Sequence, residues 1–230
     1  MLFRQLFDEA TWTYSYLLAE SEGGKALLID PVREKVPQYQ QLVSELELQL
    51  VYAIDTHVHA DHITALGKLR ELYQCETTFG DQAPVQCASR RVKDGEIIAL
   101  GHLQLKAIYT PGHTDDSYCF LLTSEKPQML FTGDTLLIRG TGRTDFQQGD
   151  ARQQYDSLFN KLLKLPADTL VYPGHDYKGM TVSTIGEEKR FNPRLQVNSA
   201  EEYCRIMDNL NLPNPKLMDV AVPANLGCGL

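Results

Sequence analysis

The sequence predicts an α/β fold, and three observations carry the prediction. Short apolar runs alternate with stretches of helical periodicity along the chain. Four of those runs end directly in loops that bear His or Asp: His57 to His62, His113, Asp134 and His175. No low-complexity segment, long linker or internal repeat interrupts the 230 residues, so residues 1–230 read as one domain.

The elements follow in order. Thr11 to Leu18 alternates aromatic and polar residues, as a strand does, and Lys25 to Asp30 reads as a buried strand. Between Pro37 and Leu48, the residues Tyr39, Leu42, Val43 and Leu46 recur at helical spacing. Leu50 to Asp55 is the next strand. Ile63 to Tyr73 then reads as a helix with Leu66, Leu69 and Leu72 on one face. In the second half, Leu103 to Thr110 is a strand ending at Pro111-Gly112-His113. Tyr118 to Thr123 and Met129 to Thr132 are two more, the second running into Gly133-Asp134. Ala151 to Leu165 is an amphipathic helix, and Leu170 to Tyr172 is a short strand ending at Pro173-Gly174-His175. Thr184 and Glu187 have capping-box spacing. Ser199 opens a last helix to about Leu210, and the Pro-, Asn- and Gly-rich tail from Pro213 to Leu230 is expected to wrap the surface.

Bulk properties exclude several classes. A net charge of −8 argues against a nucleic-acid partner. No apolar run reaches membrane-spanning length. Residues 1–8 lack the apolar core of a secretory signal, so a cytoplasmic location is expected, with a processed organellar form left open. The five cysteines are odd in number, scattered and without a Cys-x-x-Cys, which argues against a disulfide framework and for a reducing compartment. Each is expected to be a small buried hydrophobe. Cys119 stands apart because it lies six residues after His113.

His57-Val58-His59-Ala60-Asp61-His62 places half of the six histidines in one loop after a buried strand. Imidazole and carboxylate are the usual ligands of first-row transition metals. Loops at strand ends can converge on one point held by a rigid sheet. The spacing His57-x-His59-x-Asp61-His62, followed by His113, Asp134 and His175, resembles the metallo-β-lactamase superfamily. That resemblance implies a four-layer αββα sandwich: two mixed β-sheets packed face to face, flanked by helices, with a metal site at one edge.

A finer resemblance is to the persulfide dioxygenase family, which oxidises glutathione persulfide. Thr56 to Thr64, Phe131 to Gly149, Tyr172 to Tyr177, and the ending Asn209 to Pro213 with Ala221 to Asn225 carry it. The second and fourth stretches separate this group from the glyoxalase II thioesterases, which share the metal motif and carry a longer helical C-terminal domain.

Two metal arrangements stay open on residue types alone. In the dinuclear hydrolases of the superfamily, His57, His59 and His113 would hold one ion. Asp61, His62 and His175 would hold another, and Asp134 would bridge. In the persulfide dioxygenases, His57, His113 and Asp134 would form a 2-His-1-carboxylate triad on one Fe(2+) per subunit. Such a triad leaves neighbouring positions open to a persulfide sulfur and O2. His59, Asp61, His62 and His175 would then orient ligands or bound water, with a purely structural role as their alternative. Thr114 would brace a ligand or close a turn. Glutathione carries two carboxylates, so Arg143, Tyr177 and Arg139 are the candidate substrate contacts, with an internal salt bridge as the alternative for Arg139. Gly140 and Gly142 are expected at backbone positions of positive φ. Asp176 is expected to pair with a neighbouring loop and His102 to be a surface residue.

The expected enzyme is therefore a non-haem iron persulfide dioxygenase that releases sulfite and glutathione, with a homodimer as one expected assembly. A glyoxalase II-type hydroxyacylglutathione hydrolase is the alternative. A non-catalytic iron or thiol sensor would need a partner surface or an attached DNA-binding element, and the sequence shows neither.

Overall fold

The apolar runs assemble into two six-stranded sheets in the computed structural model, which describes residues 1–214 and 217–230. The first sheet takes the strands in chain order: β1 (Leu2–Asp8), β2 (Thr13–Ala19), β3 (Lys25–Ile29), β4 (Gln49–Ile54), β5 (Glu76–Gly80) and β6 (Arg90–Val92). Its first three strands pair antiparallel and its last three extend it in parallel. The second sheet holds β7 (Ile97–Leu100), β8 (Leu103–Tyr109), β9 (Tyr118–Leu122), β10 (Met129–Gly133), β11 (Leu170–Pro173) and β12 (Ser183–Thr184) in reverse order across the sheet. Only β10 and β11 pair in parallel there. Both sheets are mixed, as the superfamily resemblance implies.

The central strands, such as β2, β9 and β10, are buried along their whole length because both faces are covered. Tyr16, Leu18, Leu27, Ile29 and Ile54 of the first sheet meet Leu105, Ala107, Phe120, Leu122 and Phe131 of the second in the central core. The alternate residues Leu17 and Leu28 face α1 (Val36–Glu45) and α2 (Leu66–Tyr73) through Val43, Leu66 and Leu69. On the far side, Cys119, Leu121 and Leu130 pack against Leu158, Leu162, Ile185 and Tyr203. These come from the helical turns that begin with α3 (Ala151–Asp156), from α4 (Ile185–Phe191) and from α5 (Ala200–Asp208). Among the described residues, no helix is long and apolar enough to cross a membrane.

Capping chemistry holds where it was expected. The Thr184 hydroxyl accepts from the Glu187 N–H, and the Ser199 hydroxyl from Glu202. The amphipathic stretch from Ala151 is α-helical only to Asp156, then widens through a π-helical turn over Ser157–Lys161 and tightens over Leu162–Lys164. The expected helix from Ile63 begins at Leu66, because Thr64 is spent on a bridge to Val32.

Two expectations are corrected. The tail is not a surface wrap throughout: α6 (Met218–Leu226) carries fully buried Ala221 and Asn225, and Cys228 beyond it is also buried. Pro215 and Lys216 of that tail lie outside the described residues. Nor are all five cysteines thiols. Cys87 and Cys228 form a disulfide across 141 residues of sequence, leaving Cys75, Cys119 and Cys204 free. Sequence spacing conceals this pair because α6 returns to the first sheet only after both sheets are built.

Candidate metal centre

The polar loops that follow β4, β8, β10 and β11 meet at one edge of the sandwich. One potential ligand atom each from His57, His113 and Asp134 lies within 4.8 Å of the others. His59, Asp61 and His62 form a second such group beside it. The His57 and His113 rings meet edge to face at 4.9 Å, and the His59 ring lies tilted against those of His57 and His62 at 4.2 and 4.3 Å.

Each ring is aimed by a hydrogen bond on its outer nitrogen. His113 Nδ1 donates to the Arg143 carbonyl at 2.7 Å, which turns Nε2 toward Asp134 Oδ2, 3.5 Å away. His57 Nδ1 lies 3.0 Å from the Thr56 hydroxyl, whose own proton goes to Asp30 Oδ2. Asp30 Oδ1 accepts from the Thr56 N–H at 2.7 Å and from His59 Nε2 at 3.1 Å. His175 Nδ1 donates to the Trp12 carbonyl at 3.1 Å, leaving Nε2 3.4 Å from Asp61 Oδ2 and 3.7 Å from Asp134 Oδ2. Outer partners of this kind set ring tautomer and raise ligand basicity.

Three side-chain atoms of these residues lack protein partners. His59 Nδ1, His62 Nε2 and Asp134 Oδ1 are buried without a hydrogen bond, a state polar groups avoid unless something else binds them. Burial, then the neighbouring imidazoles, holds His57 and His59 well below the ordinary imidazole range, so their lone pairs are available. Burial alone would raise Asp134, but His175, His113 and His57 outweigh it and hold the carboxyl low. Burial opposes charge on His175 too, yet Asp134 and Asp61 push it up to about 10. The neutral His57 and His59 imidazoles beside the ionised Asp134 carboxylate are donors suited to a divalent transition metal.

The backbone is shaped to admit these groups. A Cβ on Gly174 would lie 2.7 Å from Asp134 Oδ1, and one on Gly142 would lie 2.7 Å from His113 Nδ1. Gly142 therefore serves close approach, correcting the expectation of positive φ; neither it nor Gly140 has one, and Arg139 takes φ +60° instead.

The other candidate residues separate clearly. Arg143 forms a bidentate pair with Asp145, lies over the Phe146 ring at 4.4 Å and donates to the Leu212 and Pro213 carbonyls. Arg139 pairs with Glu187 and with fully buried Glu188. Tyr177 is 62% exposed, stacked parallel to His175 at 6.0 Å and next to exposed Trp12. The Thr114 hydroxyl bonds Ser117 Oγ in a turn. Asp176 accepts from the Lys178 and Met180 N–H groups, and His102 is exposed. Cys119 is buried beside Thr110 and the Thr132 carbonyl and belongs to none of the ligand clusters among the described residues.

Sequence reasoning overlooked Asp30, Trp12 and Asn225. Asp30 carried a usable signal, since a carboxylate ending an apolar strand is the same pattern that singled out Asp134. Trp12 acts through its carbonyl, which any residue supplies, and Asn225 through contacts visible only in three dimensions.

The sequence profile of the metallo-beta-lactamase superfamily matches residues 13–78 and 88–175. The chain is 48% identical to the human mitochondrial persulfide dioxygenase ETHE1 over all of its own length and 89% of the relative's. A probable hydroxyacylglutathione hydrolase of Schizosaccharomyces pombe is 32% identical, with 90% of each chain covered. The crystal structure of ETHE1 from Myxococcus xanthus superposes with a TM-score of 0.95 at 53% identity, covering 100% of both chains.

Proposed function

The chain belongs to the metallo-beta-lactamase superfamily and, within it, to the persulfide dioxygenase family; on that premise we propose an iron-dependent enzyme that converts glutathione persulfide, O2 and water to sulfite and glutathione. The observation that carries this reading is the similarity to persulfide dioxygenase, which runs the whole chain and exceeds that to the hydrolase.

His57 Nε2, His113 Nε2 and the Asp134 carboxylate would hold the iron. Bound there, iron(II) would supply redox activation of O2 and open positions for the persulfide sulfur. The Arg143 carbonyl and the Asp30–Thr56 relay keep both imidazoles turned inward, so little reorganisation is needed on binding. His59, Asp61, His62 and His175 line the inner wall and offer hydrogen bonds to water there. Tyr177 is the favoured substrate contact, because its exposed ring stands over His175. Arg143 is the second, exchanging the Asp145 carboxylate for one of glutathione's.

Oxygen uptake with glutathione persulfide, set against hydrolysis of S-lactoylglutathione, tests the reaction. Uptake without thioester hydrolysis is expected, and the reverse would reject the proposal. His57→Ala, His113→Ala and Asp134→Ala should each abolish iron binding in metal analysis of anaerobically purified protein. Stoichiometric iron in any of them would remove that residue from the ligand set. The hydrolase reading draws on the orphaned His59 Nδ1 and His62 Nε2, which would serve its first and its second ion respectively. Two metals per chain would favour it.

A further inference from the structure

The loop that carries half of the histidines has no main-chain support of its own. Among the described residues, none pairs backbone to backbone with residues 57–62. Side chains from distant elements do that work. The Asp116 carboxylate accepts from the Val58 N–H at 2.8 Å, and Gln147 Nε2 donates to the Val58 carbonyl at 2.6 Å. Asn225 adds three more: Nδ2 donates to the His59 and His62 carbonyls, each at 2.8 Å, and Oδ1 accepts from the Thr64 N–H at 2.9 Å.

Asn225 is fully buried. A carboxamide away from water is costly unless its donors and acceptor are satisfied. Here all three bonds go to the same six-residue stretch, so the side chain is useful only where that loop has its present curvature. That curvature turns His59 Nδ1 and His62 Nε2, both unpartnered, to the interior. The segment bearing Asn225 is itself fastened, by the Cys87–Cys228 disulfide and by the Gly67 N–H donating to the Cys228 carbonyl at 2.8 Å.

We propose that Asn225 is a positioning residue for the metal centre, setting the His59–Thr64 backbone so that the histidine loop holds His57 toward the ion and His59 and His62 toward the space beside it. It acts through the loop and touches neither metal nor substrate. The inference rests on the metal reading alone and is independent of which persulfide reacts.

Cobalt(II) is a suitable probe, since its visible absorption reports ligand geometry and its affinity is read by competition with a chromophoric chelator. Asn225→Ala should lower cobalt affinity about tenfold or more and alter the absorption bands, while the apoprotein still melts cooperatively. Cys87→Ser opens the covalent tie and leaves the Asn225 bonds in place. It should lower the melting temperature yet hold cobalt affinity within about twofold of wild type. Asn225→Asp keeps the acceptor for Thr64 and loses both donors, and is read in place of the alanine variant if that one gives no cooperative melt. Unchanged affinity in the Asn225 variant would overturn the proposal. So would an equal loss in Cys87→Ser, which would mean general loosening, and so would failure of both Asn225 variants to fold, which would make the role one of folding. Because no substrate enters the assay, failure here is distinct from failure of the persulfide reaction.

Discussion

Single carboxylates organise much of the metal edge. Asp30 reaches His57 through Thr56 and His59 directly, so one buried group aims two imidazoles. Asp8 works further out. Its carboxylate accepts from the Thr11 N–H at 3.0 Å and hydroxyl at 2.6 Å and lies 3.3 Å from Lys35 Nζ, closing the turn that presents the Trp12 carbonyl to His175. Burial works to raise Asp8, but Thr11 and Lys35 outweigh it and hold the carboxyl below 3.8. A carboxylate depressed on folding contributes stability above its unfolded value and loses it as pH falls through the folded one. Asp8→Asn should therefore cost roughly 1–2 kcal/mol at neutral pH. The gap to wild type should close below pH 3.8, as urea unfolding at stepped pH would show.

At the scale of elements, the turn after β10 is built around an ion pair. Arg139 sits at φ +60°, with its N–H on Glu188 Oε2 at 2.8 Å and its guanidinium on Glu187 and Glu188. Glu188 also accepts from Ser183 and Asn192, so α4 is locked to the loop leading out of Asp134. Arg139→Ala leaves a fully buried carboxylate without its cation and should cost about 3–5 kcal/mol in denaturant unfolding. The KM for glutathione persulfide should stay unchanged in the folded fraction. A raised KM at unchanged stability would return Arg139 to the substrate pocket.

Across the whole molecule, the metal edge depends on chain segments far apart in sequence. The first sheet supplies the histidine loop, the second supplies His113, Asp134 and His175, and α6 returns to hold the loop backbone. The Cys87–Cys228 bond closes that return over 141 residues. A cross-link of such span restricts the unfolded chain, so reduction should lower unfolding free energy by roughly 2–5 kcal/mol. Equilibrium unfolding with and without reductant measures this. An unchanged midpoint would show that the bond adds nothing beyond packing.

Strong periodicity and motif chemistry made much of this molecule legible in advance. Apolar runs such as Leu27–Ile29 and Phe120–Leu122 marked central strands, because only strands covered on both faces lack polar alternation. Others escaped: Glu76–Gly80 opens with three polar residues, Arg90–Val92 has a single apolar position, and Leu2–Asp8 sets its apolar residues in adjacent pairs instead of alternating them. The sequence by itself determined the donor set, since imidazole and carboxylate types at the ends of buried strands are written in the order of residues. Only the tertiary structure decided which nitrogen of each histidine faces inward, which arginines are already paired, and that Asn225 and Cys228 belong to the metal edge. The reason is physical. Ligand identity is a local property of side chains, whereas ring orientation and loop curvature are set largely by bonds between groups apart in sequence, from Asp30 with His59 to Asn225 with the histidine loop, and no local pattern encodes those.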